Sequence, residues 1–144
     1  MNGERFEEVS IHLKGAAGSF RPIDDKPAFT VNLDKHLQGQ KYEGYDKFYL
    51  NNSVQDRSYC NEIICRELFN QADIPTPRGA HAIVTLNGKT LCLYVMIEGC
   101  NKPWLKRHFE DVSGNLYDGG FLKDIHEELG VNNGDAPEDH SAKQ

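Results

Sequence analysis

The sequence predicts an α+β fold: an antiparallel sheet with a packed helix, plus short C-terminal helices. Three observations carry this. Apolar residues alternate in two early segments, with Val9, Ile11 and Leu13 on one face of the first and Phe29, Val31 and Leu33 on one face of the second. Helical spacing follows in Tyr59, Cys60, Ile63, Ile64 and Leu68, and Pro75 and Pro77 bar any continuation. Two β-rich runs then flank Asn87-Gly88, the pair preferred in a type I′ hairpin turn.

In chain order, residues 7–14 form the first strand, with Ser10, His12 and Lys14 on its polar face. Gly15, Ala16, Ala17, Gly18 and Ser19 make a turn. The second strand ends near Asp34. Lys35–Asp46 is polar and glycine-punctuated, hence loop, and Phe48 and Leu50 suggest a short extended piece. The helix spans about 54–72, with Ser53 or Asp56 able to cap it. Leu91, Leu93, Val95 and Ile97 share a face of the second hairpin strand. Lys102–Phe109 reads as a short amphipathic helix with Trp104, Leu105 and Phe109 inward. Gly114-Asn115 and Gly119-Gly120 punctuate a loop or hairpin, and a last helical pattern, Phe121–Leu129, stops at Gly130. Residues 1–130 make one domain, and 131–144 an acidic tail expected to be disordered.

Composition narrows the function classes. A chain of 144 residues with 38% hydrophobic residues is about one domain. The longest apolar run, Leu91–Ile97, is too short to span a bilayer, and Met1–Ser10 carries no apolar signal segment, so the expected location is cytoplasmic by default and no membrane partner is expected. A net charge of -6 argues against nucleic acid as a partner. Cys60, Cys65, Cys92 and Cys100 form no CxxC and read as buried free thiols of a reducing compartment. The six histidines show no metal-ligand spacing, so no metal site is expected within the chain.

One carboxylate is out of place. On a helical wheel Glu67 falls near the middle of the apolar arc. A carboxylate facing a core is costly unless a cation or several donors meet it. Local backbone or a rim lysine can satisfy it; the functional alternative is a glutamate that holds a cation inside a cleft. Glu62, four residues before Arg66, reads as one half of a helix-surface ion pair. The turn Gly15–Ser19 can offer backbone N–H groups to phosphate oxygens, because glycine lets the backbone approach closely. It matches neither GxGxxG nor GxxxxGK[ST], and an ordinary hairpin turn would use the same residues. Asp118 reads as a turn residue.

Several stretches in order carry a resemblance. HLKGAAGSF, KPAFTVNLD, LNN followed by a helix with REL and an IPTPR exit, VTLNGKTLCLYVMIEGCN, WLKRHF and GNLYDGGF together resemble the spore coat protein H (CotH) kinase-like family, over roughly residues 9–122. The chain reads closest to a GAAGSFRP-type branch. The resemblance implies a protein-kinase small lobe running into its hinge. It implies ATP- and Mg2+-dependent phosphorylation of proteins on Ser or Thr, with the metal ligands in a larger C-terminal lobe outside this chain. Gly15–Ser19 would then contact phosphate, and Met96, Ile97, Glu98 and Gly99 would form the hinge beside adenine. Relatives commonly read PFKIKF in the second strand; Thr30 and Asn32 stand here where that pattern has lysines. The cation paired with Glu67 would fall to Lys14, slightly favoured, or Lys26. The partner would be a protein substrate. The alternative is a coat-type structural or assembly module that kept the fold without the chemistry.

Overall fold

The computed structural model describes residues 1–119 and 129–134, in two compact units, Met1–Gly99 and the residues from Cys100 onward. The first unit holds strands β1 (Ser10–Lys14), β2 (Ala28–Asn32), β3 (Lys47–Asn51), helix α1 (Asn61–Gln71), and strands β4 (Gly79–Leu86) and β5 (Lys89–Glu98). All five strands join one antiparallel sheet in the order β1-β2-β3-β5-β4. This is the expected α+β architecture, an antiparallel sheet with a packed helix in the manner of a kinase small lobe. The short extended piece at Phe48 and Leu50 proves to be the central strand. The hairpin turn is as expected: Asn87 and Gly88 both have positive φ, 50° and 81°.

Strand alternation gives the sheet two different faces. Val31 pairs with Phe48, and Leu50 with Met96, so these side chains share one face. That face is the apolar core: Phe29, Val31, Leu33, Phe48, Tyr94 and Met96 are buried, and Tyr42 and Tyr45 of the long loop join them. Thr30 pairs with Tyr49, and Tyr49 with Ile97, on the opposite face. There α1 packs, and Gly79 permits it. A Cβ at Gly79 would meet Ile63 at 3.0 Å, Ile97 at 3.1 Å and Arg66 at 3.2 Å.

The helix differs from its expected form. Residues 54–60 are turn, and α1 starts at Asn61. Ser53 and Tyr59 have positive φ, 52° and 58°, which interrupts any earlier helix. Asp56, not Ser53, serves the helix start: its carboxylate accepts the N–H of Asn61 at 2.9 Å and of Ser58 at 3.0 Å. Hydrogen bonding from Ser58 and Asn61 holds its carboxyl below the usual range.

The phase differs too. Glu62, Ile63 and Arg66 are half-buried, whereas Ile64 and Leu68 are 55% and 59% exposed. With Tyr59 and Cys60 outside the helix, the apolar arc that had Glu67 at its centre is not the sheet-facing one. Glu67 is exposed, and among the described residues its carboxylate accepts only the Gln71 amide, at 2.9 Å. The four cysteines are free, as expected, but none is buried: Cys65 and Cys92 are exposed and the other two half-buried.

The second unit contains α2 (Lys102–His108) and the antiparallel pair β6 (Leu116–Asp118) and β7 (Gly130–Asn133). Trp104 is buried as expected, with its ring centroid 5.3 Å from that of His108, but Phe109 is 47% exposed. Asp118 ends a strand rather than a turn. Residues 131–133, expected in the tail, are paired in β7. The helical pattern of Phe121–Leu129 lies, apart from Leu129, outside the described residues, as do residues 135–144 of the tail. Among the described residues no helix is long and apolar enough to cross a membrane.

The close approach at Gly79 is directly testable. Gly79→Val forces Ile63 and Arg66 away and should destabilise the fold by about 1–3 kcal/mol in urea melts. Unchanged stability would mean that α1 does not sit on β4 as described.

Candidate functional site

The C-terminal ends of β1 and β3, the start of α1 and the glycine turn surround a polar cavity of about 370 Å³. Its walls include Lys14, Gly15, Ser19, Asn51, Asn52 and Glu62. The side chains are linked in a chain. Lys14 Nζ donates to Asn51 Oδ1 at 2.6 Å. Asn51 Nδ2 donates to both carboxylate oxygens of Glu62 at 2.8 Å. Arg66 Nη2 lies 3.6 Å from Glu62 Oε2. The Lys14 ammonium also lies 4.6 Å from the centre of the Tyr49 ring. Burial pushes the Lys14 pKa below its ordinary value; the Glu62 carboxylate opposes that shift and Arg66 adds to it.

Lys14, the favoured cation, therefore does meet a helix carboxylate through one bridging amide. That carboxylate is Glu62, not Glu67. Lys26 is engaged elsewhere. Its ammonium donates to Tyr59 Oη at 2.5 Å and lies 4.5 Å and 5.1 Å from the Tyr59 and Tyr94 ring centres. Burial pushes the Tyr94 phenol up to about 12, and its hydroxyl donates to the Pro27 carbonyl at 2.8 Å.

The glycine turn is tightly built. Gly15 has φ of 126°, and a Cβ there would come within 2.9 Å of the Phe20 backbone. Ser19 closes the turn: its N–H donates to Ala16 O at 3.0 Å, and its hydroxyl accepts the Ala16 N–H at 3.1 Å. The N–H groups of Ala17 and Gly18 have no partner among the described residues. Asn52, 3% exposed, donates to the carbonyls of Ser19 at 3.0 Å and Lys26 at 2.8 Å.

The segment Met96–Gly99 is placed differently from its expected role. Met96 lies on the core face, in the wall of a separate apolar cavity of about 510 Å³, while Ile97 lies on the face of Lys14. Strand alternation thus keeps these two from forming one apolar ledge. The N–H of Glu98 donates to Arg78 O and that of Gly99 to Lys47 O, both at 2.9 Å, so neither donor is open to an adenine edge. The buried Glu98 carboxylate accepts the Arg78 N–H at 3.0 Å and pairs with its guanidinium at 3.2 Å. Arg78 in turn lies 4.3 Å from the Tyr45 ring centre. Glu98 is a structural anchor of the sheet end.

Sequence reasoning missed Asn51 and Asn52 as individual contributors, although LNN stood out as a unit. It also missed the inward direction of Glu62. A signal existed: Glu62 and Arg66 are one turn apart and flank Ile63, so one arc could hold all three.

A five-stranded antiparallel sheet carrying a helix, with a lysine joined to a helix glutamate beside a glycine turn, defines a kinase small-lobe type of fold. The sequence model of the CotH kinase protein family matches residues 11–144, and the chain belongs to that family. A search of curated proteins finds no match.

The corrected helix phase gives a sharp comparison. Glu62→Ala removes the acceptor for Asn51 and the partner of Arg66, and should destabilise by about 1–3 kcal/mol. Glu67→Ala should cost less than about 0.5 kcal/mol. Denaturant melts of both variants check it, and the reverse order would restore the original wheel.

Proposed function

We propose that this chain supplies the nucleotide-contacting small lobe of a CotH-type protein kinase that phosphorylates protein substrates on Ser or Thr. The observation that supports the reading is the convergence of Lys14, Asn51 and Glu62 on the cavity beside the glycine turn. The residues fit the phosphate end of ATP. The Ala17 and Gly18 N–H groups are donors with no partner among the described residues, and Lys14 supplies a cation. Thr30 and Asn32 leave the second strand without lysine, and Lys14 on the adjoining strand offers the charge instead, since it pairs with Ala28 in register. Ile97 lies on the Lys14 side of the sheet, but it is 3% exposed and does not line this cavity.

Glu62 and Asn51 hold the Lys14 ammonium in place, so that a phosphate does not have to order it on binding. Magnesium, when bound with ATP, would supply neutralisation of the phosphate charge. Among the described residues no group of three or more His, Cys, Asp or Glu side chains can hold a metal ion. The second reading, a structural or assembly module, is supported by the exposed apolar face of α1 at Ile64, Leu68 and Phe69.

Two outcomes test the reading. The 144-residue chain incubated with labelled ATP, magnesium or manganese and generic protein acceptors should transfer no phosphate, yet ATP should shift the amide resonances of Ala17 and Gly18. Gly18→Val, placed at φ of 89°, should abolish those shifts. ATP shifts that persist undiminished in the variant would favour the structural module.

The pH dependence has a definite sign. Burial lowers the Lys14 pKa from 10.5, so its charge fades at lower pH than that of an ordinary lysine. ATP affinity should fall as pH rises through that lowered value, and Lys14→Met should flatten the alkaline limb. An alkaline limb identical in the variant would assign it to another group.

A further inference from the structure

The glycine turn is held by the loop between β3 and α1, through its carbonyl oxygens. Gln55 Nε2 donates to Ala17 O at 3.0 Å, and Asn52 Nδ2 donates to Ser19 O at 3.0 Å. The second bond of Asn52, to Lys26 O, fixes the far end of the segment that returns from the turn to β2. Both amides therefore engage carbonyl groups of the turn. Gly18 is fitted to this brace: a Cβ there would meet Gln55 Nε2 at 3.2 Å. Within the turn, the N–H groups of Ala16 and Ser19 are spent on internal bonds, whereas those of Ala17 and Gly18, at its tip, have no partner among the described residues. Asn52 and Gln55 also line the polar cavity with Lys14.

We infer that Gln55 and Asn52 are positioning residues for a two-donor phosphate site at the Ala17 and Gly18 N–H groups: Gln55 orients the Gly18 N–H through the Ala17 carbonyl, and Asn52 anchors the exit of the turn at Ser19. This rests on the nucleotide reading above. Because the peptide unit is planar, the Ala17 carbonyl held by Gln55 fixes the direction of the Gly18 N–H, and the Ala16 carbonyl held by Ser19 fixes that of the Ala17 N–H, while Asn52 fixes the exit of the turn at Ser19. A loop free to rotate would have to be ordered at each binding event; a braced one is ordered beforehand. The brace also joins the phosphate site to the start of α1, because Asp56, next to Gln55, accepts the Asn61 N–H. A shift of α1 would carry the turn with it.

Gln55 is exposed, so its removal leaves the core intact. Gln55→Ala in the whole chain is the test, read by NMR with ATP, inorganic tripolyphosphate and adenosine as separate probes. In the wild type the Gly18 amide should show an order parameter of about 0.8, falling below about 0.6 in Gln55→Ala. Affinity for ATP and for tripolyphosphate should drop together by about fivefold, the loss expected for one hydrogen bond's worth of ordering. Any adenosine shifts should be unchanged, and so should the melting temperature. Gln55→Asn, too short to reach, should behave as Gln55→Ala. Unchanged order parameters, or unchanged phosphate affinity beside a wild type that binds, would overturn the inference alone. A wild type that binds neither ATP nor tripolyphosphate would overturn the nucleotide reading, and the phosphate role with it.

Discussion

The interaction on which the site depends is the hydrogen-bonded chain from Lys14 through Asn51 to Glu62. An ammonium desolvated among a tyrosine ring, a strand and a helix is unfavourable by itself. Asn51 makes it tolerable by presenting an oxygen to the lysine at 2.6 Å and its amide to the carboxylate at 2.8 Å. The neutral amide lets one cation and one anion share a half-buried space without direct contact. Three elements distant in sequence, β1, β3 and α1, are thereby set against one another. The same chain fixes which face of α1 looks at the sheet, because Glu62 and Arg66 are held there together.

The consecutive residues Asn51 and Asn52 divide the work by strand alternation. Asn51 faces α1, and Asn52 is turned to the carbonyls of the glycine turn and of Lys26. One dipeptide at the end of the central strand thus ties the cation, the helix and the turn to the sheet. At the other end of the same strand, the Lys47 carbonyl accepts the Gly99 N–H, while Arg78 holds the buried Glu98. The Glu98 and Gly99 N–H groups, expected beside a nucleotide base, are here committed to closing the sheet.

Much of this was legible in the chain. The alternation of Phe29, Val31 and Leu33, the Asn87-Gly88 turn and the proline exit from the helix each reflect a local rule strong enough to survive tertiary context. The order of motifs pointed to the family. The facing of Glu67 was not legible, because wheel reasoning assumes that the apolar side of a helix is its packed side. In α1 the packed side carries Glu62 and Arg66 around Ile63, and Ile64 and Leu68 are exposed. Nor did periodicity reveal that positive φ at Ser53 and Tyr59 delays the helix to Asn61. Lys26 illustrates a different limit: its partners, Tyr59 and Tyr94, are 33 and 68 residues away in the chain, and only the folded sheet brings them together.

The most direct measurement is the titration of Lys14 itself, followed by NMR on chain carrying 13C-labelled lysine, in the wild type and in Glu62→Gln. The account predicts that Lys14 loses its proton below the ordinary 10.5, because burial lowers its pKa, and that it does so at still lower pH in Glu62→Gln, because the carboxylate that opposes the shift is gone. A Lys14 resonance that titrates at the ordinary value and ignores the Glu62 substitution would contradict the chain of contacts at the centre of the site.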